Sequence, residues 1–268
     1  MIDIRVFHDR EAWIDGISKD FLQAMAGIPL PRQPRLCLAG GQTPEPVYRE
    51  FSRLMVGGKT GLRSVTLVPG DERVPMDNPA DLNETMLGRS FSLAIASGVA
   101  RMVSWFDGKY GLLAGDNNPA PNQGHEPSSN PGYDADKDSG QQFGSKSSDD
   151  LAQTMIQTME ARLAELASSG RLLFDLCYLG LGSDGHTAGL FPGMPGLDDP
   201  GLCIRGLAPL PPRQRVSLGF SALASTERTR FILSAAGKEA ALEKLRHGDP
   251  GCPAVRAATV DTIAFVLA

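Results

Sequence analysis

The sequence predicts an α/β protein in which helices cover both faces of a mainly parallel β-sheet. Short apolar runs that suit buried strands alternate with longer segments of helical periodicity along most of the 268 residues. This alternation is typical of βαβ units, in which a crossover helix leaves the two neighbouring strands parallel. At 41% hydrophobic residues, the chain also has the apolar mass for a large core.

The N-terminal segment predicts a strand followed by a helix. Ile2–Phe7 is short, apolar and partly β-branched, which favours a strand. Asp9 then suits a helix N-cap, and apolar residues such as Trp13, Ile17 and Phe21 recur with a helical period.

The same alternation predicts the elements that follow. A buried strand at Leu36–Ala39 precedes a helix at Pro44–Leu54, and Ser64–Val68 predicts another strand. Farther along the chain, the pattern predicts strands at Leu172–Leu179, Val216–Phe220, Thr229–Ser234 and Ile263–Leu267, and helices at Leu151–Leu166 and Glu239–Leu245.

A polar segment from about Gly115 to Ser148 interrupts this alternation. It consists mainly of Gly, Asn, Pro, Ser, Asp and Gln and has almost no apolar residues. Such a segment buries too little apolar surface to offset the entropy lost on ordering. We therefore expect a single domain over residues 1–268 that carries a loosely ordered surface insertion at about 115–148.

Charge and hydropathy argue against nucleic-acid and membrane partners respectively. The formal net charge is −5, and no block of Lys and Arg is present to follow a phosphate backbone. No apolar run approaches the ~20 residues that span a membrane, and the N-terminus lacks a signal-peptide pattern. We expect a cytoplasmic protein, and the sequence gives no indication of a protein partner. A small anionic substrate remains compatible, because local groups rather than net charge bind it.

The cysteine spacing predicts neither a zinc site nor a disulfide framework. Cys37, Cys177, Cys203 and Cys252 lie far apart and form no CxxC pair. We expect free thiols and no metal.

Four clusters of unusual residues each follow a predicted strand directly. The carboxyl ends of parallel strands lie at one edge of a sheet, where ligands bind, so we expect the clusters to form one site. In the first cluster, Gly40 and Gly41 permit a tight turn and a close approach of the backbone to a ligand. Gln42, Thr43 and Pro44 lead into a helix, with Thr43 as its cap, whose free N–H groups would attract a phosphate.

The second cluster places three charges at a strand end. Asp71, Glu72 and Arg73 follow Gly70, and Asn83 lies a short way downstream. Charges are uncommon at a partly desolvated sheet edge. Arg73 either pairs with a neighbouring carboxylate or offers its guanidinium to an oxyanion.

The third cluster contains the histidine most suited to catalysis. His186 lies on the glycine-rich loop 180–188, two residues after Asp184. An imidazole titrates near neutral pH, and a loop at the sheet edge leaves room for a substrate. The alternative interpretation is a surface histidine without a role.

The fourth cluster supplies cations. Lys238 opens a predicted helix, where a positive charge opposes the helix dipole unless an anion lies there too. Arg215, before the strand VSLGF, is a second candidate.

Several enzyme classes lack their motifs in this chain. There is no GxSxG nucleophile elbow and no P-loop. A histidine with carboxylates, an arginine and two anion-binding loops remains, which predicts a water-activating site for a phosphorylated substrate.

The segments around these residues resemble the 6-phosphogluconolactonase family of the glucosamine-6-phosphate isomerase/6-phosphogluconolactonase superfamily. The similar segments are LAGGQTPEPVY, VPGDERVPMDNPADLN and, most specifically, FDLCYLGLGSDGHTAGLFPG, with looser matches in RVSLGFSAL and AAGKEAAL. The similarity spans about Arg35 to Leu245, and the polar insertion lies outside it. Three departures stand at Gln42, Leu82 and Gly219, where the family usually has Ser, Ser and Thr.

The resemblance implies a modified Rossmann-like three-layer fold and hydrolysis of 6-phospho-D-glucono-1,5-lactone in the oxidative pentose phosphate pathway, without a cofactor. His186 would then activate water, and Arg73 would hold the reacting end of the substrate. Residues 40–43, Arg215 and Lys238 would hold the phosphate, with Asn83 as a further substrate-binding residue. Asp71 and Asp184 would orient Arg73 and His186.

Two other functions remain open at this point. One is a sugar-phosphate isomerase or deaminase of the same fold, although Asp71-Glu72-Arg73 and the segment 190–193, LFPG, match the lactonases better. The other is a non-catalytic regulator that binds a sugar phosphate, which would have no need of His186.

Overall fold

Two β-sheets and their covering helices make up the part of the chain that the structure, a computed structural model, describes: residues 2–29, 31–58, 64–74, 79–107, 147–167 and 172–268. The strands there are β1 (Asp3–Phe7), β2 (Arg35–Leu38), β3 (Val65–Pro69), β4 (Asp71–Val74), β5 (Ala100–Met102), β6 (Leu176–Leu179), β7 (Cys203–Leu207), β8 (Gln214–Leu218), β9 (Arg228–Ser234) and β10 (Asp261–Leu267). The α-helices there are α1 (Arg10–Ala26), α2 (Glu45–Val56), α3 (Asn83–Ser90), α4 (Ser92–Ala96), α5 (Ser148–Ala167), α6 (Phe220–Leu223), α7 (Glu239–His247) and α8 (Pro253–Arg256).

The larger sheet has seven strands in the order β1-β10-β9-β6-β2-β3-β5, and all its neighbouring strands are parallel. The expected parallel sheet is therefore confirmed. From β2 the chain adds β3 and β5 on one side, and then β6, β9 and β10 on the other. The strand order thus reverses between β2 and β6, and a crevice opens at the carboxyl ends of strands at such a switch point.

Both faces of this sheet are covered, because alternate strand residues enter two different apolar clusters. Leu36 and Tyr178 join α1 and α2 in one cluster, which includes Trp13 and Phe51. Cys177 belongs to the other cluster, which contains apolar residues of α5 and the smaller sheet. Side chains of successive strand residues point to opposite faces, so the sheet lies between two apolar layers.

The smaller sheet was not predicted. Its three antiparallel strands have the order β4-β8-β7. The strand predicted at Val216–Phe220 is β8, which ends at Leu218 and belongs to this sheet. Gly70 joins the two sheets: its N–H donates to the carbonyl of Leu38 in β2 at 2.9 Å, and its carbonyl accepts the N–H of Leu218 in β8 at 2.8 Å.

Several predicted boundaries differ from the structure. The strand predicted at Leu172–Leu179 begins only at Leu176. Earlier in that segment, Leu173 and Phe174 donate their N–H groups to Ser225 instead of to a neighbouring strand. The helix predicted at Leu151–Leu166 begins earlier, at Ser148. The rest of the predicted insertion, 115–146, lies outside the described residues.

In the described part of the chain, no helix combines the length and the apolar character needed to cross a membrane.

Candidate active site

A cavity of about 590 Å³ lies at the carboxyl ends of β2, β6 and β9, where the sequence predicts the site. All eleven predicted site residues line it: Gly40, Gly41, Gln42, Thr43, Asp71, Arg73, Asn83, Asp184, His186, Arg215 and Lys238. The residues come from both sheets. The structure therefore brings the four sequence clusters together around one cavity.

The imidazole of His186 is held by Asp184. Its Nδ1 lies 2.6 Å from Oδ1 of Asp184, and the same oxygen accepts the backbone N–H of His186 at 3.0 Å. Burial raises the pKa of the Asp184 carboxyl, but the hydrogen bonds and the charge of His186 outweigh it, so this pKa lies below its usual value. An ionised Asp184 favours the tautomer with the proton on Nδ1, which leaves Nε2 free to accept one.

Close packing fixes the position of the imidazole ring. The ring of Phe191 lies against it, with 4.5 Å between the ring centroids. The N–H of Gly182 donates to the carbonyl of His186 at 2.8 Å, and a Cβ at Gly182 would overlap the imidazole. Glycine at position 182 is therefore required by the histidine rather than by the turn.

Asp71 and Arg73 are linked through Asn83 rather than directly. Nη1 of Arg73 donates to Oδ1 of Asn83 at 2.8 Å and to the carbonyl of Asp81 at 2.6 Å. Nδ2 of Asn83 donates to the carbonyl of Asp71 at 2.8 Å and to its Oδ1 at 3.1 Å. Burial raises the pKa of Asp71, and the charges of Arg215, Arg73 and His186 oppose that rise.

The two arginines of the site lie side by side. Arg73 in β4 pairs with Arg215 in β8, so both side chains project from the same face of the smaller sheet. Burial lowers the pKa of Arg215, Asp71 raises it and Arg73 lowers it further. Neither arginine forms an ion pair with a carboxylate of the described residues, so both charges are available to an anion.

The glycine turn before α2 leaves backbone N–H groups open to the cavity. Gly41 has a φ of +95°, and a Cβ at Gly40 would overlap the side chain of Asn83. The predicted cap at Thr43 is wrong: Pro44 occupies the N-cap position, and no side chain caps the helix. An uncapped helix start is better suited to an anion than a capped one, because its donors remain unsatisfied.

Lys238 supplies a further positive charge to the cavity wall. It immediately precedes α7, and burial lowers the pKa of its ammonium group. It has no carboxylate partner in the part of the chain that the structure describes. A half-buried cation without a counter-ion favours the binding of an anionic ligand.

Of the three departures from the family pattern, only Gln42 reaches the cavity. Leu82 is buried in the core cluster that contains Val68 and Val74. Gly219 is also buried, and a Cβ there would lie 2.6 Å from the carbonyl oxygen of Gly201. Leu82 and Gly219 therefore do not alter the composition of the cavity wall.

Sequence reasoning missed part of the wall. The segment 208–211, Ala-Pro-Leu-Pro, lines the cavity. A Pro-rich loop carries no chemical signal, so only the structure reveals this contribution. Within the described residues, no group of His, Cys, Asp and Glu side chains has the geometry to hold a metal ion.

Sequence comparison supports the resemblance. The family model for glucosamine-6-phosphate isomerases/6-phosphogluconolactonase matches residues 134–264, just under half of the chain. The 6-phosphogluconolactonase of Rattus norvegicus is 40% identical over 75 residues, which cover 27% of this chain and 29% of the rat protein. The matches span only 26–38% of the length of the curated relatives.

Structural comparison covers nearly the whole chain. The 6-phosphogluconolactonase of Trypanosoma brucei superposes with a TM-score of 0.69 at 21% identity, over 99% of this chain and 96% of that one. A monomeric glucosamine-6-phosphate deaminase superposes with a TM-score of 0.63 at 17% identity, over 99% and 97% of the two chains. At these identities the likeness establishes the fold alone, which lactonases and deaminases share.

Proposed function

We propose that this chain, whose residues 134–264 match the family model for glucosamine-6-phosphate isomerases/6-phosphogluconolactonase, hydrolyses 6-phospho-D-glucono-1,5-lactone to 6-phospho-D-gluconate. One observation carries the proposal. The Asp184–His186 pair lines the same cavity as two arginines that have no carboxylate partner among the described residues. A base and oxyanion-stabilising donors around one cavity meet the chemical needs of ester hydrolysis.

His186 acts as the general base. Its Nε2 takes a proton from water while the water oxygen bonds to C1 of the lactone, and the carbonyl electrons move to the exocyclic oxygen. Asp184 stabilises the imidazolium that results, because its Oδ1 lies 2.6 Å from Nδ1. A positioned base of this kind contributes about 10²–10⁴-fold to the rate.

Arg73 stabilises the oxyanion of the tetrahedral intermediate. Its guanidinium is fixed by Asn83 and the carbonyl of Asp81, which leaves its other N–H groups for the substrate. Donors held in place before the reaction stabilise the developing charge more than mobile donors do, because they need not reorganise as the charge develops. When the bond between C1 and the ring oxygen breaks, the imidazolium returns its proton to the ring oxygen and His186 is neutral again.

The phosphate of the substrate binds to the turn 40–43, Lys238 and Arg215. The turn offers backbone N–H groups at the start of α2, and the two cations flank the same cavity. Charge-assisted hydrogen bonds of this kind are stronger than neutral ones, which favours the 6-phosphorylated lactone over the free sugar lactone. We propose a cytoplasmic location for the reaction.

The experiment is a turnover assay on 6-phospho-D-glucono-1,5-lactone, with spontaneous lactone opening subtracted. Glucosamine 6-phosphate, assayed for ammonia release, tests the deaminase alternative, because the fold is shared with deaminases. Acceleration of lactone opening that disappears in His186→Asn supports the proposal. Ammonia release without lactone turnover would assign the cavity to the deaminase reaction, and binding without turnover of either substrate would indicate a regulator.

A further inference from the structure

The side chain of Glu72 lies directly behind the active-site residues of β4. Along this strand Asp71 and Arg73 face the cavity, whereas Glu72 points the other way and is 0% exposed. Its carboxyl group accepts three backbone N–H groups. Oε1 accepts those of Arg73 and Asn83, and Oε2 accepts that of Glu84, all at 2.9 Å.

Two of these N–H groups belong to the first residues of α3. The residue at the N-cap position of that helix, Leu82, is apolar and makes no capping hydrogen bond. The first N–H groups of a helix have no partner inside it and need an acceptor from elsewhere. Glu72, eleven residues before Asn83, therefore caps α3 from a neighbouring strand.

This cap also determines where Asn83 lies. Asn83 is the first residue of α3, and its side chain joins Nη1 of Arg73 to the carbonyl and Oδ1 of Asp71. Glu72 thus holds the backbone at both ends of the Arg73–Asn83 hydrogen bond. A displacement of either end would move the guanidinium relative to His186.

We propose that Glu72 is a positioning residue of the reaction, which sets the place of the Arg73 guanidinium through the N–H groups of Arg73 and Asn83. The inference rests on the proposed function, in which Arg73 stabilises the oxyanion. Glu72 itself does not line the cavity. A role in stability alone would lower the midpoint of unfolding without a separate effect on kcat.

Two variants separate positioning from stability. Glu72→Met keeps a similar side-chain length but removes all three acceptors. Glu72→Gln keeps one oxygen for the N–H groups of Arg73 and Asn83, but its amide nitrogen cannot accept the N–H of Glu84. We expect both to lower Tm by about 2–8 °C. We expect kcat to fall by about 10–100-fold in Glu72→Met and to stay within about 3-fold of the wild type in Glu72→Gln.

The fall in kcat should be equal for the phosphorylated and the unphosphorylated lactone, because Arg73 acts at the reacting end. Glu84→Gln is the matched control. Glu84 is a buried carboxyl group of α3, the helix that Glu72 caps, but its side chain accepts hydrogen bonds from Ser104 and Trp105. Glu84→Gln should lower Tm and leave kcat within about 2-fold of the wild-type value.

The proposal would be overturned if Glu72→Met kept a near-wild-type kcat. It would also be overturned if kcat fell in proportion to Tm in both Glu72 variants and in the control. If Glu72→Met does not fold, Asn83→Ala replaces it, since it keeps the backbone N–H that Glu72 binds and removes the side-chain contacts to Arg73 and Asp71. An unchanged kcat in Asn83→Ala would equally overturn the proposal. Failure of the proposed function is a distinct outcome, in which the wild type shows no turnover. In that case, crystal structures of the wild type and Glu72→Met test the positioning role of Glu72. Retention of the Arg73–Asn83 hydrogen bond in the variant would show that Glu72 does not position Arg73.

Discussion

Arg73 and Arg215 are directly opposite each other in the antiparallel pair of β4 and β8. Like charges at such a position repel, and directly opposed like-charge pairs destabilise a sheet. Burial and the charge of Arg73 lower the pKa of Arg215, and the charge of Asp71 opposes that fall, so Asp71 offsets part of the repulsion. The remaining positive charge faces the cavity, where an anionic substrate would neutralise it.

The first prediction concerns the phosphate contacts. Arg215→Ala and Lys238→Ala should raise KM for the 6-phosphorylated lactone far more than for unphosphorylated gluconolactone. Each removed cation–phosphate contact should cost about 1.5–3 kcal/mol of binding free energy. Initial rates over a range of both substrates measure the difference. Equal effects on the two lactones would show that these cations do not hold the phosphate.

The second prediction concerns the general base. His186→Asn should lower kcat at least ~10²-fold with little change in KM, because Asn cannot accept a proton at neutral pH. Asp184→Asn is the companion variant and should have a smaller effect, since it removes the partner of Nδ1 and leaves the imidazole in place. Near-wild-type kcat in His186→Asn would mean that another group activates the water.

The third prediction concerns stability and pH. Burial raises the pKa of Glu72 to about 8 and that of Glu84 to about 7, against backbone hydrogen bonds that lower both, from an unfolded-state value of 4.5. Between pH 4.5 and 8 the folded state therefore binds more protons than the unfolded state. The free energy of unfolding should be highest below pH 4.5 for these two groups and fall by a few kcal/mol as the pH rises to 8.

Urea denaturation at several pH values between 5 and 8 measures this slope. Glu72→Gln and Glu84→Gln cannot titrate, so each should make the slope less steep than that of the wild type. The comparison between variant and wild type cancels the contribution of all other titrating groups. A wild-type slope that neither variant reduces would show that these carboxyl groups titrate alike in the folded and unfolded states.

The fourth prediction concerns Gln42. Its exposed side chain belongs to the turn 40–43 and makes no side-chain hydrogen bond within the described residues. Ordering a glutamine side chain on binding costs about 1 kcal/mol or more of conformational entropy. Gln42→Ser should therefore lower KM for the phosphorylated lactone about 2–5-fold at unchanged kcat. A higher KM would instead identify the amide as a substrate ligand.

The sequence predicted those parts of the site that depend on local segments. The turn at Gly40–Thr43 and the loop of His186 each follow a parallel strand directly, so their position at one sheet edge could be inferred without the structure. The smaller sheet could not be inferred in the same way. β7 and β8 are short, with few alternating apolar residues, and β4 lies more than a hundred residues away in the sequence. The cap on α3 was missed for the same reason, because its acceptor, Glu72, lies on another element.

Because the two sheets meet at Gly70, the candidate site lies at the interface between them. The turn 40–43, His186 and Lys238 extend from the seven-stranded sheet, whereas Asp71, Arg73 and Arg215 belong to the three-stranded one. The proposed base, His186, and the proposed oxyanion donor, Arg73, therefore line one cavity only while the two sheets remain docked. Loosening of the smaller sheet would inactivate the enzyme although its parallel sheet stayed folded, so heat inactivation would precede the loss of most secondary structure.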